Sequence, residues 1–215
     1  MDAIIANLPR FFTGFGATLS LLLISGVLAL VIGTVIAGMR ISPIASLNGF
    51  ATVYTELLRN TPLTLVLFFC AFILPYLGVN IPYFLSGIVG LTLYTSPFVA
   101  EALRSGINGV PVGQAEAARS LGLGFGQSVS LIIFPQAFRM VIPPLINVMI
   151  ALTKNTSVVG GFFVLELFAV AKELTNANGN AVIALLLATA AFYLAVTIPL
   201  GIFAGRLEKR WVVQR

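Results

Sequence analysis

The sequence predicts an all-α integral membrane protein with five transmembrane helices, its amino end outside and its carboxyl end in the cytoplasm. Three observations carry that expectation. Of 215 residues, 59% are hydrophobic and only 9% charged, and the mean hydropathy is +1.04, far from the composition of soluble domains. The few charges bracket long uncharged stretches of the length a helix needs to cross a bilayer. Lys and Arg also gather on one side of the resulting arrangement.

The first uncharged segment lies between Arg10 and Arg40. Within it, residues 17–39 make about 23 residues, or ~35 Å of helix, enough to cross ~30 Å of hydrocarbon. The leading MDAIIANLPR lacks the basic region and small-residue cleavage site of a secretory signal, so this span is expected to be retained. The uncharged stretch from Arg59 to Glu101 is broken by Pro75, Gly78, Asn80 and Pro82, which makes it two spans, near 62–76 and 82–103, joined by a tight loop. Residues 181–205 form the last span, ahead of Arg206, Lys209, Arg210 and Arg215. The span before it, 140–170, is expected to be broken near 154–161. Met140–Thr153 is only about 14 residues, or ~21 Å, and stops at Lys154, Asn155, Thr156 and Ser157, while an apolar run resumes after Gly160 and Gly161. A helix broken at membrane depth is tolerated where it lines a cavity or is buried in protein.

Residues 111–138 read differently. Pro111 and Gly113 precede helix formers from Gln114 to Leu121, and Gly122 is suited to end the helix in a left-handed conformation. Glu116 is expected in its first turn, with Arg119 at the i+3 position. So short a helix gains order by packing, and Ala115, Ala118 and Leu121 offer it an apolar face for a partner groove. Ser120–Phe138 carries no charge, but its three glycines, Gln127 and Pro135 argue against a span and leave Val129–Phe134 as an apolar patch at the cytoplasmic surface. With a cytoplasmic carboxyl end, five spans put Arg40, Arg104 and Arg119 inside and only Arg10, Lys172 and, depending on where its span breaks, Lys154 outside, as the positive-inside rule requires.

The same residues bound the chemistry. The net charge is +5 and the pI about 9.8, but the basic residues sit at span ends and form no patch interleaved with aromatics, so no nucleic acid is expected. Cys70 is the single cysteine and there is no His, which leaves no intrachain disulfide, no usual metal site and no histidine acid/base catalysis. No catalytic residue and no cofactor are expected in this chain. The G-x-x-x-x-G-K-[ST] phosphate loop is missing, since Gly122, Gly124 and Gly126 lack the Lys-Ser/Thr and the preceding strand.

Glu116-Ala117-Ala118 followed by Gly122, Ile132 and Pro135 has the spacing of the "EAA" loop of bacterial ABC importer permeases. ELLRNTPLT at Glu56–Thr64, FVAEALRSGI at Phe98–Ile107 and ALTKNTS at Ala151–Ser157 extend the likeness over nearly the whole chain. The sequence resembles permease subunits of the polar amino-acid importers of histidine, glutamine and glutamate type, in wording nearest to actinobacterial glutamate permeases; Phe134 departs from the more usual Leu. The resemblance implies the type I ABC importer permease fold and a bacterial plasma-membrane location. It implies a translocation path shared with a second, homologous or identical permease subunit, two cytoplasmic ATPase subunits that bind ATP-Mg and grip the coupling helix around Ala115–Leu121, and an extracytoplasmic solute-binding protein that delivers the amino acid.

Four carboxylate and arginine positions at helix ends, Glu56 with Arg59 and Glu101 with Arg104, are spaced one turn apart and read as local ion pairs. Lys154 has no carboxylate at i±3 or i±4, so with Asn155, Thr156 and Ser157 it is a candidate for the substrate path; the rival reading is that it snorkels to the outer interface or pairs with the partner subunit. The alternative reading is a secondary transporter or channel that uses Glu56, Glu101 or Glu166 as a coupling carboxylate. It lacks the internal repeat such proteins show.

Overall fold

The computed structural model describes residues 2–211, and among them all regular structure is helical. After one turn at Asp2–Ala6 come α1 (Leu8–Arg40), α2 (Ala45–Arg59), α3 (Leu63–Tyr76), α4 (Tyr83–Asn108), α5 (Val112–Ser120), α6 (Phe125–Phe162), α7 (Leu167–Ala177) and α8 (Val182–Trp211). Four helices, α1, α4, α6 and α8, are long and apolar enough to cross a membrane. The bent pair α2 and α3, turned by 102°, makes a fifth span if it is taken as one.

α1 starts nine residues earlier than expected, at Leu8-Pro9, where proline's missing amide donor costs nothing. Its buried residues, Gly14, Thr18, Leu21, Ser25, Ala29, Gly33 and Ile36 among them, recur every three or four positions and form one seam against α4, α6 and α7. The seam is tight because it is built from small residues. A Cβ on Gly33 would stand 2.6 Å from Val99 Cβ and 2.7 Å from the Ser96 carbonyl oxygen.

The sequence assigns no element to 41–61, yet α2 occupies most of it. Arg40 precedes α2 and Arg59 ends it, and both side chains reach Glu101, so both ends of this 15-residue helix lie near one level of the bundle. Pro62 stops it by disfavouring helical geometry at Thr61 and then caps α3. α3 contains a π-helical stretch at Phe69–Ile73.

Two expectations about α6 are corrected. Val129–Phe134 is apolar and partly exposed, with Leu131 and Phe134 each 62% exposed, but it does not stand apart from the span, because the helix begins at Phe125 and runs through it with a π-helical stretch at Ser128–Ile133. Lys154–Ser157 does not break the span either: helix continues to Val159. The hydroxyls there bond back to their own helix, Thr153 to Met149 O at 2.9 Å, Thr156 to Thr153 O at 2.7 Å and Ser157 to Lys154 O at 2.7 Å, so a polar run is accommodated without freeing the backbone. The break falls instead at Gly160–Glu166. There a 3-10 turn leads to Phe163 at φ 61°, a conformation disfavoured for a side-chain-bearing residue, held while its ring packs on Tyr83 and Phe72.

Three apolar clusters fill the interior. One joins α1, α3, α4 and α6 around Leu21, Leu67, Leu91 and Leu152, one joins α1, α7 and α8 around Phe11, Leu167 and Leu185, and one joins α1, α2 and α4 around Ile36, Ala51 and Ala100.

Candidate functional site

α5 projects between α4 and α6 and is closed as its sequence demands. Gly122 takes φ +81°, Gly122 N–H donates to Arg119 O at 2.9 Å and Leu123 N–H to Ala118 O at 3.1 Å, the paired bonds of a Schellman motif. The helix begins at Val112, two residues before the expected start, so Glu116 is its fifth residue and lies in the second turn, away from the unpaired amides. The expected apolar face is also corrected. Ala118 is buried against the chain's own Ser128–Ile133 segment and Ala115 is half-buried, whereas Leu121 is 82% exposed. The free apolar surface is therefore Val112, Leu121 and Phe125, with Ala117, Glu116 and Arg119 exposed beside it.

The four polar residues of α6 do not converge. Lys154 is exposed and, with Ser157, lines a pocket of about 290 Å³ closed by Phe168, Thr189 and Tyr193 of α7 and α8. Thr156 is turned into the protein and Asn155 is half-buried. The helix rather than a break presents Lys154: positions 154 and 157, three apart, share one face.

Beside that pocket the structure organises a residue that sequence reasoning weighed only for the alternative. Glu166 is fully buried and caps α7, accepting from Phe168 N–H and Ala169 N–H, each at 2.8 Å, and from the Tyr193 hydroxyl at 2.9 Å. Thr18 Oγ1 lies 3.4 Å away and itself accepts from Leu167 N–H. A carboxylate directly ahead of the run LFAVA was the only available signal for the cap. The tyrosine is 27 positions off and the threonine 148, and no local pattern reveals either.

At the α5 end of the bundle, Glu101 collects arginines from three helices. Its Oε2 accepts from Arg40 of α1 at 2.6 Å and faces Arg59 of α2 at 3.5 Å, and its Oε1 accepts from Arg104 one turn on. The expected pairing of Glu101 with Arg104 is present. That of Glu56 with Arg59 is not: among the described residues Arg59 pairs with Glu101 and its guanidinium lies 5.7 Å from the Phe98 ring centre. At the end of α2, Arg59 reaches Glu101 of α4, so a tertiary partner displaces the local one.

Comparison with known proteins agrees with this architecture. The chain is 41% identical over 219 residues to the glutamate transport system permease protein GluC of Corynebacterium glutamicum, with 96% of each covered. It is 42% identical over 204 residues to the probable glutamine ABC transporter permease protein GlnM of Bacillus subtilis, covering 95% of this chain and 94% of that one. A chain in the crystal structure of an amino acid ABC transporter with histidines superposes with a TM-score of 0.89 at 30% identity, again with 96% of each covered. One from the inward-facing MetNI methionine ABC transporter gives 0.73 at 18% identity over 96% of this chain and 98% of that one, a likeness of fold alone. The family described as binding-protein-dependent transport system inner membrane component matches residues 29–213, and with these relatives it establishes that the chain belongs to that family: a multi-pass inner-membrane component of an ABC transporter, with a permease's role and not an enzyme's.

Proposed function

We propose that the chain is the permease subunit of an ATP-driven importer of glutamate or a related polar amino acid. With a second permease subunit it forms the translocation path, and α5 passes the motion of a separate cytoplasmic ATPase, which holds the ATP-Mg, to the spans. An extracytoplasmic binding protein supplies the amino acid. The observation that carries this reading is α5 itself, a nine-residue helix closed by a left-handed glycine and offering Val112, Leu121 and Phe125 to a partner. Exposed apolar residues rimmed by Glu116 and Arg119 mark a protein contact. The names of the relatives support the substrate class.

In this reading the amino end is outside and α5 is cytoplasmic, and Lys154, beside the 290 Å³ pocket, offers a cation to an acidic substrate on its way through. Glu101 and Glu166 are both held by several donors, which favours structural duties for them over the ion coupling that a secondary transporter would ask.

Uptake into proteoliposomes by the assembled complex, with glutamate, glutamine, aspartate and arginine in competition, tests the substrate. ATP-independent uptake would overturn the whole reading. With Cys70 replaced, a cysteine at Gln127 is expected to resist an impermeant thiol reagent in intact cells while one at Asn180 reacts, and labelling at Gln127 would reverse the orientation.

A further inference from the structure

The arginine cluster at the α5 end is out of balance. Among the described residues, three guanidinium groups, on Arg40, Arg59 and Arg104, share one carboxylate, which leaves two positive charges over. Arg104 Nε, among the same described residues, is buried with no hydrogen-bond partner. Of the three, Arg59 is the least committed: it stands 3.5 Å from Glu101 Oε2, an oxygen that Arg40 already holds at 2.6 Å. A charge on a membrane helix faces a cavity or partner, and here there is a cavity. Arg59 and Glu101 line a pocket of about 320 Å³ between α4 and α6, walled by Phe98, Ser105, Met140 and Pro144.

The wall composition narrows the ligand. A guanidinium fork matches a carboxylate through two parallel hydrogen bonds, and the Phe98 ring, its centroid 5.7 Å from the guanidinium carbon, faces the cation. If Arg59 turns to a ligand carboxylate, it releases the loosest of Glu101's contacts and frees that Oε2 lone pair for a cation. A ligand that brings both charges on a short aliphatic frame satisfies both groups, with Phe98, Met140 and Pro144 against its carbons.

We propose that this pocket is a second amino-acid site, at the α5 end of the bundle, taking the carboxylate of a small amino acid on Arg59 and its ammonium on Glu101. The proposal rests on the importer reading, in which this end faces the compartment where the amino acid is released. Its occupant would tie α4 to α6 on either side of α5, so the imported amino acid slows its own uptake from within.

The test uses the complete complex in proteoliposomes with enclosed ATP-Mg, binding protein and labelled glutamate outside, and increasing unlabelled glutamate, succinate or inorganic phosphate inside. Internal glutamate is expected to lower the initial uptake rate. Succinate and phosphate, which lack the ammonium, are expected to be weaker. Losing one charge-assisted contact in Arg59→Gln should raise the half-inhibiting glutamate concentration about tenfold, and Arg59→Lys, which keeps the charge without the fork, about threefold. Ala102→Leu, which fills the pocket from its half-buried wall, should also raise it. Uptake in the wild type that ignores internal glutamate overturns the proposal, as does equal inhibition by phosphate, or undiminished inhibition in Arg59→Gln or Ala102→Leu. Should Arg59→Gln fail to assemble, the wild-type and Ala102→Leu arms still decide. Absence of ATP-driven uptake with nothing but ATP-Mg inside would instead defeat the importer reading.

Discussion

Replacing Glu101 with Gln keeps the volume and removes the one charge that three helices share. The cost is set by how far each arginine is buried. Arg40 is only 14% exposed and holds Oε2 at 2.6 Å, so stranding it costs about 2–3 kcal/mol. Arg59 is 41% exposed and 3.5 Å away, and solvent screens its loss to under about 1 kcal/mol. Arg104, 34% exposed and on the same helix at i+3, adds about 0.5 kcal/mol. Together the loss is about 3 kcal/mol, which for a chain of this size lowers the unfolding midpoint by roughly 6–12 °C. The assay is thermal unfolding of the purified chain in detergent, with Glu56→Gln as control, since Glu56 pairs with no arginine among the described residues and should shift less than about 0.5 kcal/mol. A double-mutant cycle with Arg40→Met should return the largest coupling of the three arginines. If Glu101→Gln shifts the midpoint no more than Glu56→Gln, the cluster does not join α1, α2 and α4 and the reasoning fails.

Gly33→Ala, which drives a Cβ onto Val99 and the Ser96 carbonyl, is expected to destabilise the chain by about 1–3 kcal/mol in the same melt, whereas Gly38→Ala enters open space and should be neutral or slightly stabilising. Gly122→Val meets no neighbour but must adopt φ +81°, a strain of about 1–2 kcal/mol; it should reduce co-purification of the ATPase and substrate-stimulated ATP hydrolysis while the chain still inserts, and normal coupling would remove the role assigned to α5. Lys154→Met should lower uptake of an acidic substrate about tenfold or more, the worth of one charge-assisted contact, with Lys154→Arg retaining part; unchanged uptake, or failure to assemble, would take Lys154 out of the substrate path.

Much was legible in the residues because it rests on near-neighbour physics. The absence of charge over long stretches announced the spans, since no span can shed a charge to water. Gly122 announced the end of α5, since a left-handed residue is a local demand that glycine meets most cheaply. Even the pairing of Glu101 with Arg104 is a matter of helical pitch.

Only the tertiary structure decided the rest. Lys154–Ser157 looked like a break, but the helix runs on to Val159 with its hydroxyls satisfied on the preceding turn, and the interruption includes Phe163, whose unusual backbone is held by rings from α3 and α4. Which face of α5 stays free depended on where the Ser128–Ile133 segment lay, and it covered Ala118 and left Leu121 bare. Arg59 forsook Glu56 one turn away for Glu101, 42 positions on, and Glu166 found Tyr193 and Thr18 across the bundle. Composition and period act over a turn or a span and can be read along the chain. The partners of buried polar groups are chosen by what the folded bundle brings within about 3 Å, and no linear pattern records that.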